Sequence, residues 1–226
     1  MIDLSYKKFR LSALFLCALL TACAQNSASL SSTYSTVFNL ITESVFKGED
    51  GISAEVIKNI PYASSLINFK KRPQSLIILE SKQRDTYTWV SSDNKVFLTE
   101  DGRIVGTIGL TNDLFKITRP DISFKKILNN QNQESYFAYY SFKKPNLNNL
   151  KVKITHEVIG RQKIMILEKE KDVILVEERL ESKKIYWKGT NRFWVDAQSF
   201  FVWKSQQNIS PKLPLLNFEV QKKPAL

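Results

Sequence analysis

From Ala63 onward the chain alternates apolar and charged or polar residues with a period of two, as in Lys151-Val152-Lys153-Ile154-Thr155. Successive side chains of an extended strand point to opposite faces, so this pattern predicts sheet with one buried and one wet face. Runs of this kind cover Ala63 to Phe69, Ser75 to Ser81, Thr86 to Ser91, Lys95 to Leu98, Arg103 to Ile108 and Ser135 to Phe142. They continue over Leu150 to Val158, Gln162 to Lys169, Asp172 to Leu180, Lys183 to Lys188, Arg192 to Asp196, Phe201 to Gln206 and Leu215 to Val220. Ser92-Asp93-Asn94, Asp101-Gly102, Gly160 and Gly189-Thr190-Asn191 read as turns between them. The expectation is a mainly β fold: an antiparallel, meander-rich sheet curled into a barrel or half-barrel. Thr118 to Gln133 reads as a loop with room for a short helix.

Before Pro61 the period is helical. Tyr34, Val37, Phe38, Ile41, Val45 and Phe46 recur at helical spacing until Lys47-Gly48 ends the pattern, and Ser53 to Lys58 adds a short turn that Pro61 stops. One or two N-terminal helices are therefore expected to pack on the sheet.

The first residues read as an address. Lys7, Lys8 and Arg10 precede the apolar run Leu11 to Leu20, and small residues follow, which is the order of a secretory signal. Ten apolar residues are too few for a span that needs roughly 20. Leu20-Thr21-Ala22-Cys23 resembles the bacterial lipobox, in which the cysteine thiol receives diacylglycerol and becomes the first residue after cleavage. Residues 1–22 then read as a lipoprotein signal, 23–33 as a lipidated tether and 34–226 as a single β-rich domain. Beyond the covalent acyl lipid on Cys23, no cofactor is expected. The second cysteine, Cys17, lies inside the signal, so no disulfide is expected and stability must come from a core. The tether "AQNSASLSST" has an r.m.s. span of roughly 17 Å, which keeps the domain near its membrane. Ala24, in place of aspartate, points to the outer membrane, at its periplasmic face.

Charge narrows the partners. Residues 1–22 hold three of the 33 Lys and Arg and one of the 22 Asp and Glu, which leaves 30 against 21 and a net charge of +9. Export removes nucleic acid as a partner and leaves anionic lipid headgroups, lipopolysaccharide and acidic polysaccharide. No block of five basic residues occurs, so a solvated surface with scattered lysines is the plainer reading. A membrane-spanning β-barrel needs an uncharged lipid face about 25 Å tall, which these short, charged strands do not offer.

Chemistry is sparse. His156 is the sole histidine, so with no free cysteine a zinc site of the usual ligand types cannot be assembled, and a strand histidine on its own reads as a surface or satisfied residue. There is no Gly-x-Ser-x-Gly elbow, and Gly102, Gly106 and Gly109 miss the phosphate-binding spacing. Glu177 and Glu178 point to opposite faces of a strand and cannot act as an acid/base pair. The segment "NRFWVDA" places Arg192, Trp194 and Asp196 on one strand face with Phe193 and Val195 opposed. In the following run Phe201, Trp203 and Ser205 oppose Val202, Lys204 and Gln206, so the two runs read as arms of one hairpin. Cross-strand pairing explains this arrangement, and Arg192, Trp194, Asp196 and Trp203 are also a candidate ligand or partner surface, since a cation, ring and anion together describe a sugar platform.

Three segments in order, "IKNIPYAS" (Ile57 to Ser64), "VFLTEDGRIVGTIGL" (Val96 to Leu110) and "NRFWVDAQSFFVWKSQQ" (Asn191 to Gln207), resemble landmarks of the YjbF/GfcB lipoproteins, the group 4 capsule polysaccharide lipoproteins. The resemblance implies an antiparallel β fold with barrel-like curvature, a lipid anchor in the outer membrane and an accessory role in capsule or exopolysaccharide production, with polysaccharide-export proteins or anionic polysaccharide as partners. It supplies no catalytic residues. A lipocalin-like carrier of an apolar or glycolipid ligand and a polysaccharide-modifying enzyme are the alternatives. Members of the family tend to have glycine near Phe200, and its lack here predicts a longer type I loop after Asp196.

Overall fold

The computed structural model describes residues 52–130, 134–144 and 146–224. The expected helix over Tyr34 to Phe46, the tether and the lipobox lie outside the described residues. Helix α1 (Ala54–Asn59) starts where Ser53 Oγ accepts a hydrogen bond from Val56 N at 3.3 Å, and it ends at Ile60, just before Pro61. Ile57 and Ile60 are its buried residues.

Twelve strands follow: β1 (Ser64–Phe69), β2 (Ser75–Gln83), β3 (Thr86–Ser91), β4 (Val96–Glu100), β5 (Arg103–Ile108) and β6 (Leu114–Thr118). After helix α2 (Phe124–Asn130) come β7 (Ser135–Phe142), β8 (Leu147–Ile166), β9 (Lys169–Ser182), β10 (Trp187–Asp196), β11 (Val202–Gln207) and β12 (Leu216–Lys222). They form one sheet in the order β5-β4-β3-β2-β1-β12-β11-β10-β9-β8-β7-β6, antiparallel throughout. No helix among the described residues is long and apolar enough to cross a membrane.

This order forces curvature. β5 and β6 are consecutive in the chain yet occupy the two edges of the sheet. In a flat twelve-stranded sheet those edges would stand about 53 Å apart, whereas the loop between Ile108 and Leu114 reaches at most about 20 Å. The sheet therefore curls until it nearly closes into a barrel. Side chains bridge the seam: Thr107 Oγ1 donates to Asp113 Oδ1 and accepts from Leu114 N, both at 3.0 Å, while Gly109 N and Leu110 N also donate to Asp113.

The interior is filled by large side chains. Trp89 meets Phe218 edge-on at 5.6 Å between centroids, and Trp187 meets Tyr140 in the same way at 5.6 Å. Phe97, Leu114, Leu150, Val152 and Leu216 are fully buried in the same cluster. A second cluster joins Phe124, Ile127 and Leu128 of α2 to Val176, Phe193, Val195 and Val202, so the expected short helix after Thr118 packs on the sheet.

Several expected boundaries change. Gly160 is not a turn but sits at a register shift inside the 20-residue β8, so the strand expected over Gln162 to Lys169 is no separate element. The hairpin turns instead at Leu167 and Glu168, both at positive φ (46° and 63°), a conformation for which neither residue type is a signal. The strand expected over Lys183 to Lys188 is a 3-10 turn (Lys183–Ile185) followed by Tyr186 at φ 53°, and β10 begins at Trp187. Gly189-Thr190-Asn191, expected as a turn, lies inside β10. Gly189 is needed there because the Asn208 side chain occupies the space of a Cβ, at 2.7 Å. β6 was not expected as a strand: five residues with one buried position carry too little alternation.

Candidate functional site

The two runs are the arms of one hairpin, as expected, and β10–β11 pairs Arg192 with Gln206, Phe193 with Ser205 and Trp194 with Lys204. Then the register shifts: Val195 pairs with Val202, which leaves Trp203 as the extra residue of a β-bulge. The bulge places Val202 on the inward face with Phe193 and Val195, where strict alternation had opposed it to Trp203.

Each of the four candidate residues here has a partner within the chain. Arg192 lies directly across from Glu177 of β9 and donates from Nε to its Oε1 at 2.8 Å. Trp194 has Lys204 Nζ 5.7 Å from its ring centroid. Asp196 caps the hairpin loop, accepting from Gln198 N, Ser199 N and Ser199 Oγ on Oδ1 and from Trp203 Nε1 on Oδ2 at 2.9 Å. Burial pulls its carboxyl upward, but the bonds from Ser199 and Trp203 win and hold it below the usual carboxylate range. The structure thus joins Asp196 to Trp203 and separates both from Arg192.

The loop after Asp196 is long, as the lack of glycine predicted, with four residues before Phe201 and a bond from Phe200 N back to Asp196 O. It does not avoid positive φ, because Phe200 stands at 61°. A left-handed conformation costs about 1–2 kcal/mol at a residue with a Cβ. The Asp196 bonds and the packing of Phe200 against the second cluster offset that cost.

This loop forms one wall of a cavity of about 610 Å³ at the mouth of the barrel. Trp89, Phe200, Phe201 and Phe218 supply aromatic surface, and Lys82, Arg119, Lys204 and Lys223 supply cations. Lys223 Nζ lies 4.7 Å from the Phe201 centroid, and Phe201 packs edge-on against Trp203 at 5.0 Å. The Asp101-Gly102 turn also lines the cavity and lies against the start of β11, where a Cβ on Gly102 would come within 2.4 Å of Val202. Of the four acids lining the cavity, Glu100 accepts from Thr86, Asp121 pairs with Lys126, Asp101 accepts from Arg103 and Phe124 N, and Asp85 is exposed. Burial is the largest influence on Asp101 and raises its carboxyl although Arg103 opposes it.

Beneath the mouth, Arg103 and Glu178 form a buried ion pair, with Nε and Nη2 donating to Glu178 Oε1 at 3.0 and 2.7 Å. Burial works against the Arg103 charge, but Glu178, Tyr136 and Asp101 more than offset it and hold the guanidinium charged. Its Cζ lies 3.8 Å from the Phe124 ring centroid, which ties α2 to the barrel. Gln207 completes this layer, accepting from Ile104 N and donating to Gly102 O and Ser205 Oγ. His156 pairs with Glu178 across β8–β9 and is 2% exposed, so it is not a surface residue, and its Nδ1 has no hydrogen-bond partner among the described residues. No group of three potential metal ligands occurs among the described residues.

None of Arg192, Trp194, Asp196 and Trp203 lines the mouth, although Asp196 and Trp203 hold the loop that does, and Lys82, Trp89, Arg119 and Lys223 come to it from strands and loops far apart in the chain. Each looks ordinary in its own segment.

Comparison with known proteins agrees with this architecture. Residues 38–220 match the family described as "Group 4 capsule polysaccharide lipoprotein gfcB, YjbF". The lipoprotein YjbF of Escherichia coli (strain K12) is 22% identical over 195 residues, covering 84% of this chain and 86% of the relative. The lipoprotein GfcB of the same strain is 23% identical over 100 residues, 44% of each chain. The crystal structure of the lipoprotein YmcC from Escherichia coli (K12) superposes with a TM-score of 0.73 at 17% identity, over 89% of this chain and 100% of that one.

Proposed function

From the premise that the chain belongs to the YjbF/GfcB family of group 4 capsule polysaccharide lipoproteins, we propose that it is a non-catalytic accessory of capsule or exopolysaccharide production or export. In this reading the acyl lipid on Cys23 holds the domain at the periplasmic face of the outer membrane. The mouth of the barrel engages a segment of anionic polysaccharide or an export protein that carries it.

The observation that carries the binding half of this reading is the mouth cavity itself. The half-buried Phe200 beside Lys82, Arg119 and Lys223 suits a sugar ring bearing a carboxylate, which packs by its apolar face and pairs by its charge. Three of its acids are already engaged by neighbouring donors, which favours binding over glycoside hydrolysis. A lipocalin-like carrier needs an empty barrel axis, and here Trp89, Phe97, Tyr140 and Trp187 occupy it.

Three measurements test the reading. Deletion of the gene should reduce surface polymer, and unchanged surface polymer would remove the accessory role. Cys23→Ser should leave the protein unprocessed or release it from the outer-membrane fraction. For the mouth, an acidic oligosaccharide should weaken in binding roughly tenfold on Arg119→Ala, a loss typical of a single charged hydrogen bond. Equal affinity of wild type and variant would move the site elsewhere.

A further inference from the structure

The outer face of β6, β7 and the first half of β8 carries a feature that neither the mouth nor the core uses. Tyr136, Ala138 and Tyr140 of β7 point inward and are buried, so Phe137 and Tyr139 point outward, 47% and 40% exposed. Phe115, the extra residue of a register shift in β6, is 59% exposed. Around these rings stand Lys116, Lys143 and Lys151, all exposed and none with a carboxylate partner among the described residues. Lys151 lies opposite Tyr139 with its Nζ 3.9 Å from the Phe137 centroid, and Lys143 Nζ stands 5.5 Å from that of Phe115. From Leu114 to His156 the chain holds eight Lys and Arg against two acids, Asp121 and Glu134.

We propose that this face is a docking surface for an anionic phospholipid bilayer, so that the domain lies against its membrane with β6 and β7 toward the headgroups. Exposed phenylalanines lower their free energy in the interfacial region, and unpaired ammonium groups gain at an anionic surface. The geometry favours lipid over polysaccharide. One face of both phenylalanine rings is already covered by an ammonium, which takes a surface on which a sugar would stack. A bilayer accepts such rings edge-on while the lysine stems run alongside and their heads stay at the phosphates. The charge boundary is sharp: Lys153, next on the same strand, already faces Glu181 of β9, which itself bonds Lys188.

The proposal rests on the lipid-anchored reading above for how the domain reaches a bilayer, and the test separates the two. The full acylated protein is reconstituted into vesicles of pure phosphatidylcholine or of phosphatidylcholine with about one third phosphatidylglycerol, with a fluorophore on Thr118→Cys in β6 or on Gln83→Cys at the β2–β3 turn. Flotation with pure phosphatidylcholine reads the anchor alone. With phosphatidylglycerol, a nitroxide lipid should quench the label at 118 at least about threefold more than that at 83, and about 0.5 M salt should abolish the difference. Combining Lys116→Glu, Lys143→Glu and Lys151→Glu should lower the docked-to-free ratio roughly 100-fold, at about fivefold per lysine. Equal quenching at the two positions, or quenching untouched by the triple reversal, overturns the proposal. Polygalacturonate that shields the label at 118 from aqueous iodide on pure phosphatidylcholine would assign the face to polysaccharide and overturn it equally. Failure to float with phosphatidylcholine sinks the anchor, whereas co-flotation limited to phosphatidylglycerol still supports the patch.

Discussion

Across β8 to β12 the cations on the outer face of the sheet meet carboxylates, whereas across β6 to β8 they do not. In the first region Arg179 pairs with Glu157 at 2.6 Å, Arg192 with Glu177 at 2.8 Å, Lys188 with Glu181 at 3.5 Å and Lys204 with Glu219 at 2.9 Å. In the second, Lys116, Lys143 and Lys151 stand among exposed aromatics and none pairs with a carboxylate among the described residues. Both regions show the same period-two alternation, so the difference is not one of folding. It shows that the net charge is concentrated on one flank, where it can act on a partner, while the other flank is neutralised strand by strand. The paired flank also argues against a lipid-facing barrel wall, which could not carry those charges.

If charge on the outer face serves recognition, the charge that serves stability should be inside. Glu178→Ala should then give the largest loss, about 3–5 kcal/mol by urea unfolding, because it leaves the buried Arg103 with the half-exposed Asp101 alone. Arg103→Met with Glu178→Leu should recover most of that loss, since a buried pair gains little over well-packed apolar groups. A small effect of Glu178→Ala would break the distinction between interior and exterior charge.

Next in size is Asp196→Ala, expected to cost about 2 kcal/mol through the bonds from Ser199 and Trp203. This carboxyl is held below its unfolded value, so its contribution is fully present above about pH 4 and is lost as pH falls through the folded value. Unfolding measured at pH 6 and at pH 3 should therefore show a larger drop for wild type than for Asp196→Asn. Equal drops would mean that the loop does not depend on the charge.

Within the paired flank, Arg192→Ala should cost less than 1 kcal/mol, because an exposed ion pair is largely screened. The smallest stability effect belongs to the unpaired flank, where Lys143→Glu with Lys151→Glu should stay within about 0.5 kcal/mol. The contrast is sharpest if this pair of reversals leaves thermal unfolding unchanged and lowers the docked-to-free ratio on anionic vesicles about 25-fold. A stability loss above 1 kcal/mol would recast those lysines as structural.

Much of the fold was legible because a period of two is a local property. Lys151 to Thr155 declares a half-buried strand by itself, and the arms of β10–β11 declare a hairpin through their spacing. Ser53 before Ala54–Asn59, with Pro61 after it, marks a helix through capping and sterics alone. Gly160 misled because a glycine marks both turns and bulges, and Leu167-Glu168 escaped because neither residue prefers positive φ. Of the candidate site, Arg192, Trp194, Asp196 and Trp203 were visible as one segment, but their partners were not.

The sequence by itself determined a one-sided antiparallel sheet, a late hairpin and a likeness to the capsule lipoproteins, all carried by neighbours in the chain. Tertiary structure decided what depends on register and closure. The short β5–β6 loop bends the sheet shut, the bulge at Trp203 brings Val202 inward, and Arg103 meets Glu178 from 75 residues away. The same closure gathers Lys82, Trp89, Arg119, Phe201 and Lys223 around one mouth. Which strand edges meet, and in what register, is set by the sum of many weak pairings over the whole sheet, and no local pattern encodes that sum.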